Sequence, residues 1–398
     1  MAMNLPIGER VRYWREKKQR KQAAVAGLCG ITEEYLSQIE RGLKIPSLPV
    51  LHALAAELGV PLSALLDNIP KEAPRKENDV AQDVTRALMG YGPARSSLPI
   101  SSTVLRERVE SAWRIWQTSP TRFTDAAAVL PSLIADTEHT LRVHRTGSDS
   151  VARRDTLRVA ADLYFLLRSY CRRAGRVDLS LMVADRGLRA AEDADDPIRI
   201  AAAQWNLGHV LLADGEHEGA EQIACLGIEQ LAATRCEETV ALAGALDLVA
   251  VVADARRKKW GSARRRLHDE AVPRARRAGE GNCMWTVFGP TNVELHSVSI
   301  GMEAGEVTEA LKIADQIDTS HLPSLERRFT FMLDVARCYD LRREDAAVLV
   351  HLIDLLQLAP EDLTRSPLAH NMVIRLRRRV RPTYRRQVDM LTERLGLL

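Results

Sequence analysis

The sequence predicts an all-α fold. Apolar residues recur at helical spacing along most of the 398 residues, and the alternating pattern of β-strands is scarce. Two features divide the chain: a helix–glycine–helix motif near the N-terminus, and a helix–turn–helix unit with a small residue that recurs after residue 105. The length is that of two or three domains.

The N-terminal motif spans residues 22–42. A first short helix is predicted from Gln22, a tight turn follows at Gly30, and a second helix starts with Thr32 as its N-cap and ends at Gly42. Two short helices joined by a tight glycine turn form the helix-turn-helix motif that inserts its second helix into the major groove of double-stranded DNA.

The second helix of this motif has one apolar side. Leu36 and Ile39 lie three residues apart and are predicted to face inward. The residues that then face outward, near the start of the helix where base edges would lie, are Thr32, Glu33, Glu34, Ser37 and Gln38.

The outward side chains of this helix have more than one possible role. Glu33 and Glu34 would accept hydrogen bonds from cytosine N4, or they merely complement the helix dipole. Gln38 suits adenine, because a carboxamide both donates and accepts on that base edge. Residues 10–21 carry seven basic residues and one acid, which fits either a phosphate backbone or a solvated basic helix face.

Residues Ile7 to Asp67 resemble the helix-turn-helix of the lambda-repressor/Cro or xenobiotic-response-element (XRE) family. The resemblance is carried by Ile7-Gly-Glu-Arg-Val11, Arg15, Gln22, Ala26, Gly30, Ile39-Glu-Arg-Gly42, Pro46-Ser47, Leu54-Ala55 and Leu58-Gly59-Val60. It implies a five-helix DNA-binding domain over residues 5–68.

The same resemblance implies a role for each matched position. Gln22 would brace the DNA backbone and the recognition helix, and Arg15 would form a structural pair with Glu40. The base-facing positions would be Thr32, Glu33, Glu34 and Gln38, and the positions that usually meet phosphate would be Arg41 and Lys44.

Residues 69–104 are predicted to be a linker. They include a charged, proline-bearing stretch and a second break rich in glycine, proline and serine at 90–99. A short helix is expected between these breaks, over Asp79 to Met89. From residue 105 to 398 the chain is predicted to be helical, beginning with helices over Leu105 to Gln117 and Thr124 to Arg142 and ending with one over Thr383 to Leu395.

The recurring unit resembles the tetratricopeptide repeat, most clearly in Trp205–Ala220. A small residue is needed where two helices of a hairpin approach closely. The predicted positions of close packing are Ser180, Ala220, Ala263, Ala310 and Ala347. They lie 37 to 47 residues apart, more than the roughly 34 of the usual repeat. The fold class is therefore an XRE-type helix-turn-helix domain followed by a tetratricopeptide-like superhelix of helical hairpins.

The repeat geometry predicts which residues line the concave face of that superhelix. They are Phe165 and Ser169, Trp205 and His209, Leu248 and Val252, Asn292 and Leu295, and Phe329 and Met332. Apolar and aromatic groups with a few amides suit a ligand groove, although for any one of these residues ordinary repeat packing is the favoured role. The candidate ligand-binding residues are Phe165, Trp205, His209, Asn292 and Phe329.

Composition and motifs exclude several classes. The net charge of +3 restricts any DNA contact to a local surface. Six scattered cysteines show no metal-ligand spacing, and no nucleotide-binding, metalloprotease or hydrolase motif occurs. We therefore expect no enzyme, no metal and no cofactor. Neither a signal peptide nor a membrane span is predicted, so a cytoplasmic protein is expected.

The order of the two predicted domains resembles that of bacterial quorum-sensing regulators that respond to peptides. The resemblance implies a homodimer and a two-fold operator. It also implies a concave pocket that binds a peptide or a small molecule. The bound ligand would change DNA affinity by altering the separation of the two DNA-binding domains. Two other hypotheses are a protein-interaction scaffold whose helix-turn-helix contributes little DNA affinity, and a phage- or plasmid-type repressor without a ligand. Basic runs at 256–277 and 375–386 would contact DNA or an anionic partner, or are solvated helix faces.

Overall fold

A computed structural model describes residues 7–60, 62, 65, 77–90, 98–234 and 236–397. Throughout these residues the secondary structure is helical, without a β-strand, which confirms the all-α class. The chain divides into two compact units, Met1–Lys76 and Glu77–Leu398. No helix of the described residues is both long and apolar enough to cross a membrane.

The first unit contains four fully described helices: α1 (Ile7–Lys17), α2 (Gln22–Leu28), α3 (Glu33–Glu40) and α4 (Leu48–Leu58). Val11, Val25, Leu36 and Leu54 from these helices form its core. The expected fifth helix falls on residues that lie mostly outside the described ones. Leu65, which is described there, is fully buried against the same core.

One glycine allows α1 to touch α3. A Cβ atom built on Gly8 would overlap the carbonyl oxygen of Ile39 and would lie 2.9 Å from its carbonyl carbon. Only a residue without a side chain permits this approach of two backbones. The position of α3 therefore depends on Gly8.

The second unit begins earlier than the predicted repeat array. Helix α5 (Glu77–Leu88) is the short helix expected inside the linker. It is part of the second unit, because Val84 and Leu88 are buried in that unit's core and the Leu88 carbonyl accepts a hydrogen bond from Arg186 at 3.2 Å. Helices α6 (Ser102–Thr118) and α7 (Arg122–Thr146) follow, close to the pair that the sequence predicted.

Five helical hairpins make up most of this unit. They are α8/α9 (Ser150–Arg173, Val177–Asp193), α10/α11 (Pro197–Asp214, His217–Leu231), α12/α13 (Glu237–Arg256, Trp260–Arg266), α15/α16 (Pro290–Glu303, Val307–Ala314) and α17/α18 (Leu325–Leu341, Asp345–Leu358). After α13 the chain passes through a π-helical turn (Leu267–Ala271) into α14 (Val272–Ala278).

The hairpins share one turn geometry. In each, the residue two positions before the second helix has a left-handed backbone: Gly175, Gly215, Lys258, Gly305 and Arg343. The fourth residue of each second helix is buried: Ser180, Ala220, Ala263, Ala310 and Val348. Four of these positions agree with the sequence analysis. The fifth prediction, Ala347, is wrong by one residue, because Ala347 is third in α18 and only partly buried while Val348 is fully buried.

A C-terminal group of helices completes the unit. It contains α19 (Pro360–Arg365), α20 (Pro367–Arg379), a 3₁₀ turn (Pro382–Tyr384) and α21 (Arg385–Arg394), the last of which occupies the segment predicted to be the final helix. Leu352, Leu363, Met372 and Leu391 pack together in a core that also includes Phe329.

Candidate DNA-binding and ligand sites

Local signals position the α2–α3 motif as the sequence predicted. The hydroxyl oxygen of Thr32 accepts the backbone N–H of Tyr35 at 3.1 Å and so caps α3, and Gly30 has φ +67° in the turn. Leu36 and Ile39 are fully buried. The predicted outward residues are accessible: Thr32, Glu33 and Glu34 are exposed, and Ser37 and Gln38 are half-buried.

A buried carboxylate connects the first three helices. Glu40, at the end of α3, is 4% exposed and accepts hydrogen bonds from Arg15 Nε at 2.6 Å, from Arg15 Nη2 at 2.8 Å and from Gln22 Nε2 at 2.8 Å. The hydrogen bond to Glu40 raises the pKa of Arg15 despite partial burial. The predicted Arg15–Glu40 pair is confirmed, and Gln22 contacts α3 through the same carboxylate, so α3 is fixed against both α1 and α2.

The outward side of α3 contains a contact that the sequence analysis missed. Gln38 Nε2 donates to Glu34 Oε1 at 3.4 Å, one helical turn earlier. The spacing of four residues was the available signal. Glu34 can therefore orient the carboxamide of Gln38 in addition to complementing the helix dipole.

The two predicted phosphate contacts are exposed just beyond this helix. Arg41 Nε donates to the Ser37 carbonyl at 3.3 Å, and Lys44 Nζ lies 5.7 Å from the centre of the Tyr35 ring. The basic segment 10–21 is partly neutralised, since Arg12 pairs with Glu16 at 2.8 Å and Arg20 pairs with Glu57. Lys18 and Lys21 are exposed.

This geometry defines a helix-turn-helix domain, and residues 11–65 match the helix-turn-helix family model. Two curated relatives align over short stretches. The immunity repressor protein of Bacillus phage phi105 is 29% identical over 85 residues, which is 20% of this chain and 59% of the relative. The HTH-type transcriptional regulator SinR of Bacillus subtilis (strain 168) is 37% identical over 62 residues, 15% of this chain and 56% of the relative. The chain thus spans just over half the length of these relatives.

Two solved structures resemble a larger part of the chain, at low scores. PlcR of Bacillus thuringiensis, solved in complex with the peptide PapR7 and DNA, is 15% identical with a TM-score of 0.29, covering 67% of this chain and 93% of that one. ComR of Streptococcus suis is 16% identical with a TM-score of 0.17, covering 66% of this chain and 97% of that one. These scores are too low to define a shared fold, so the fold assignment rests on the helices themselves.

The second unit holds two adjoining cavities between the first helices of its hairpins. They enclose about 230 Å³ and 170 Å³, each less than the roughly 300–1,000 Å³ of typical small-molecule sites. Four residues line both cavities: Arg172, His209, Arg327 and Thr330. We call the two together the concave cavity.

Part of the predicted concave face lines this cavity. Trp205 and His209 do so, as do Ser169, Val252 and Leu295. The structure places the other three candidate ligand residues in the protein interior instead. Phe165 packs beside Gly187 on α9, Phe329 belongs to the C-terminal core, and Asn292 is 1% exposed. Their neighbours Phe331 and His296 line the wall where Phe329 and Asn292 were expected.

Tryptophan dominates one wall of the cavity. Four of the six tryptophans of the chain line it: Trp113, Trp116, Trp205 and Trp285. The rings of Trp113 and Trp285 are stacked, with centroids 4.6 Å apart. The indole N–H of Trp116 donates to the Ser169 hydroxyl at 3.1 Å. The sequence analysis missed three of these residues because they lie outside the hairpins, on α6 and in a loop.

That loop, residues 279–289, has an unusual backbone. Met284, Trp285 and Val287 have φ between 45° and 58°, a left-handed conformation that is a genuine outlier for a β-branched residue such as valine. The ring of Phe288 occupies the space beside Gly244, where an added Cβ would overlap it. Packing of this kind can maintain strain, which clusters at ligand sites.

Cys283 lies in the same loop. Burial raises its pKa to about 11, so the thiol is protonated at neutral pH. Among the described residues, no cluster of histidine, cysteine, aspartate and glutamate is suited to a metal ion.

About half of the basic residues in each basic run are paired with acids. In the first, Arg256 pairs with Glu303, Arg257 and Arg266 with Glu221, Arg264 with Glu306, and Arg274 with Asp247 and Glu270. In the second, Arg375 and Arg379 pair with Asp340, and Arg377 and Arg385 with Asp389. These contacts favour the interpretation as solvated helix faces over that of DNA or anion patches.

Proposed function

We propose that this chain is a sequence-specific DNA-binding transcriptional regulator. Its helix-turn-helix unit would read double-stranded DNA, and its helical-hairpin unit would dimerise and sense a peptide or small molecule. The observation that carries the proposal is the accessible side of α3, which is fixed by the Glu40 carboxylate and presents Gln38 beside Glu34. The match of residues 11–65 to the helix-turn-helix family supports it, as do two relatives named as a repressor and a transcriptional regulator.

The role of each residue in this proposal follows from the chemistry of its side chain. Gln38 would contact adenine through both carboxamide atoms, while Gln22, Arg41 and Lys44 would position the domain on phosphates. Two copies in a homodimer would bind half-sites about one helical turn, or a multiple of it, apart. A ligand that binds one state of the hairpin unit more tightly than another would shift the spacing of the two DNA-binding domains.

Gln38→Ala tests the base contact. Loss of a bidentate contact to adenine costs about 1–3 kcal/mol of discrimination, so we expect a roughly 5- to 150-fold loss of affinity for the preferred site and little change for non-specific DNA. Affinities for both DNAs would be measured by fluorescence anisotropy at one fixed salt concentration. Gln387→Ala, the same change at an exposed position on α21, is the matched control. Equal site preference in Gln38→Ala and the control would contradict the assignment.

Arg41→Ala tests the phosphate contact. It should weaken binding to all DNA sequences about equally and reduce the slope of log affinity against log salt by about 1. Titrations at a series of salt concentrations measure that slope. An unchanged slope, or a loss confined to the preferred site, would exclude Arg41 as a phosphate contact.

A further inference from the structure

Two arginines facing the concave cavity lack a carboxylate partner, unlike their neighbours. Arg172 and Arg173 share the carboxylate of Glu326, at 3.0 Å and 2.6 Å. Arg168, on α8, donates its Nε to the neutral oxygen of Asn206 at 2.7 Å and lies 5.3 Å from the Trp205 ring centre. Within the described part of the chain, neither Arg168 nor Arg327 on α17 forms an ion pair. Both line the cavity.

The two charges are costly where they are. Arg168 is 3% exposed and Arg327 is half-buried. Burial lowers the pKa of Arg168 to about 9, so this group stays charged at neutral pH, and burial also lowers the pKa of Arg327. The two groups are close enough to repel each other. Burial, reinforced by Arg168 and Arg327, holds the pKa of His209 well below its usual range, so this imidazole is neutral.

Buried charges are ordinarily paired, because desolvation costs several kcal/mol per ion. Glu326 lines the same cavity and attracts both groups, but it is already paired with Arg172 and Arg173. The cavity wall therefore keeps an excess of guanidinium charge, which favours an anionic ligand. A guanidinium fork matches the two oxygens of a carboxylate. The stacked Trp113 and Trp285 and the ring of Trp205 offer flat apolar surface beside it, which suits an aromatic body.

We infer that the concave cavity binds a carboxylate carried on an aromatic group, with the carboxylate between Arg168 and Arg327 and the ring against the tryptophan wall. Two sources share this chemistry: a free aromatic acid, and the C-terminus of a peptide that ends in an aromatic residue. The inference rests on the proposed function in that it supplies the signal sensed by the hairpin unit.

Isothermal titration calorimetry of the full chain tests this with two matched pairs of probes. Indole-3-acetate is compared with neutral indole-3-acetamide, and the peptide Gly-Gly-Trp with a free C-terminus is compared with its C-terminal amide. The charged member of at least one pair should bind about tenfold or more tightly than the neutral one, because only it satisfies both guanidinium groups. The pair whose charged member binds more tightly identifies the source as a free aromatic acid or as the C-terminus of a peptide. No binding of either acid below about 10 mM, or equal binding within both pairs, would overturn the inference.

Variants locate the site. Arg327→Gln should reduce affinity for the acid about tenfold or more and bring acid and amide to similar affinity, and Arg168→Gln should do the same. Arg154→Gln, an exposed position on α8, is the control and should bind like the parent chain. Arg168 is buried, so a thermal melt checks its folding, and Arg327→Gln decides the question if Arg168→Gln does not fold. Acid binding that is unchanged in Arg327→Gln would contradict the assigned site.

DNA affinity of the same preparation, measured with and without the acid probe, separates this inference from the proposed function. Selective acid binding without sequence-specific DNA binding would leave the cavity assignment standing and remove the regulator. Sequence-specific DNA binding without acid binding would leave the regulator standing and remove the cavity assignment.

Discussion

Gly8→Ala should abolish the native arrangement of the first unit and with it all specific DNA binding. The added methyl group would overlap the carbonyl of Ile39 on α3, and backbone atoms cannot move aside as the end of a side chain can. Overpacking of this kind costs about 3 kcal/mol, a large fraction of the stability of so small a unit. Hydrogen exchange followed by mass spectrometry on the full chain would show α1 and α3 exchanging much faster.

Gly27→Ala is the matched control for this experiment. Gly27 lies in α2 of the same unit, and no described atom beyond its own helix lies within 4 Å of a Cβ built there. Alanine in a helix is more stable than glycine by about 0.5–1 kcal/mol, so protection should stay the same or rise. Equal protection of α1 and α3 in both variants would show that the close contact of these helices is not needed.

Asp362→Asn should destabilise the second unit by about 3–5 kcal/mol, the usual cost of breaking a buried ion pair. Asp362 is paired with Arg122, whose side chain is fully buried, and Arg122 Nε donates to Asp362 Oδ2 at 2.9 Å. The pair joins the start of α7 to α19, which lie 240 residues apart in sequence. A neutral asparagine would leave the buried Arg122 charge with only its longer contact to Glu326, at 3.5 Å.

The melting temperature of the second unit, followed by circular dichroism, measures this loss. Asp185→Asn is the control, because its pair with Arg189 is an exposed contact one helical turn apart on α9 and such pairs contribute about 0.5 kcal/mol or less. A second effect is expected in the concave cavity. Arg122 also contacts Glu326 at 3.5 Å. Once Arg122 has lost its bond to Asp362, it should compete with Arg172 for the Glu326 carboxylate. Similar melting of the Asp362→Asn and Asp185→Asn variants would refute the structural role of the Arg122 pair.

The helix-turn-helix could be predicted residue by residue because its signals are local. Thr32 caps the helix that it precedes, Gly30 occupies the turn that needs it, and the spacing of Leu36 and Ile39 fixes the buried side. The pairing of Arg15 with Glu40 spans 25 residues, and it was found only through the family resemblance. Propensity and periodicity do not reveal such contacts.

The concave cavity could be predicted only in part, for two physical reasons. Each residue along a helix turns the side chain by about 100° around the helix axis. One residue separates the predicted Ala347 from the buried Val348, and two residues separate Phe329, which lies in the core, from Phe331, which lines the cavity. Trp285 reaches the cavity through a loop in which Met284, Trp285 and Val287 are left-handed although none of them is glycine. Tertiary packing imposes that conformation, and no local preference of the sequence indicates it.

The most direct test of the regulator is to incubate the purified chain with fragmented DNA from its source genome at moderate salt, with and without indole-3-acetate, and to sequence the bound fragments. The proposal predicts enrichment of a motif with two-fold symmetry and half-sites about one helical turn, or a multiple of it, apart. That motif should be lost with Gln38→Ala and kept with Gln387→Ala. Uniform or absent enrichment under both conditions would contradict the account and favour a scaffold whose partner is a protein.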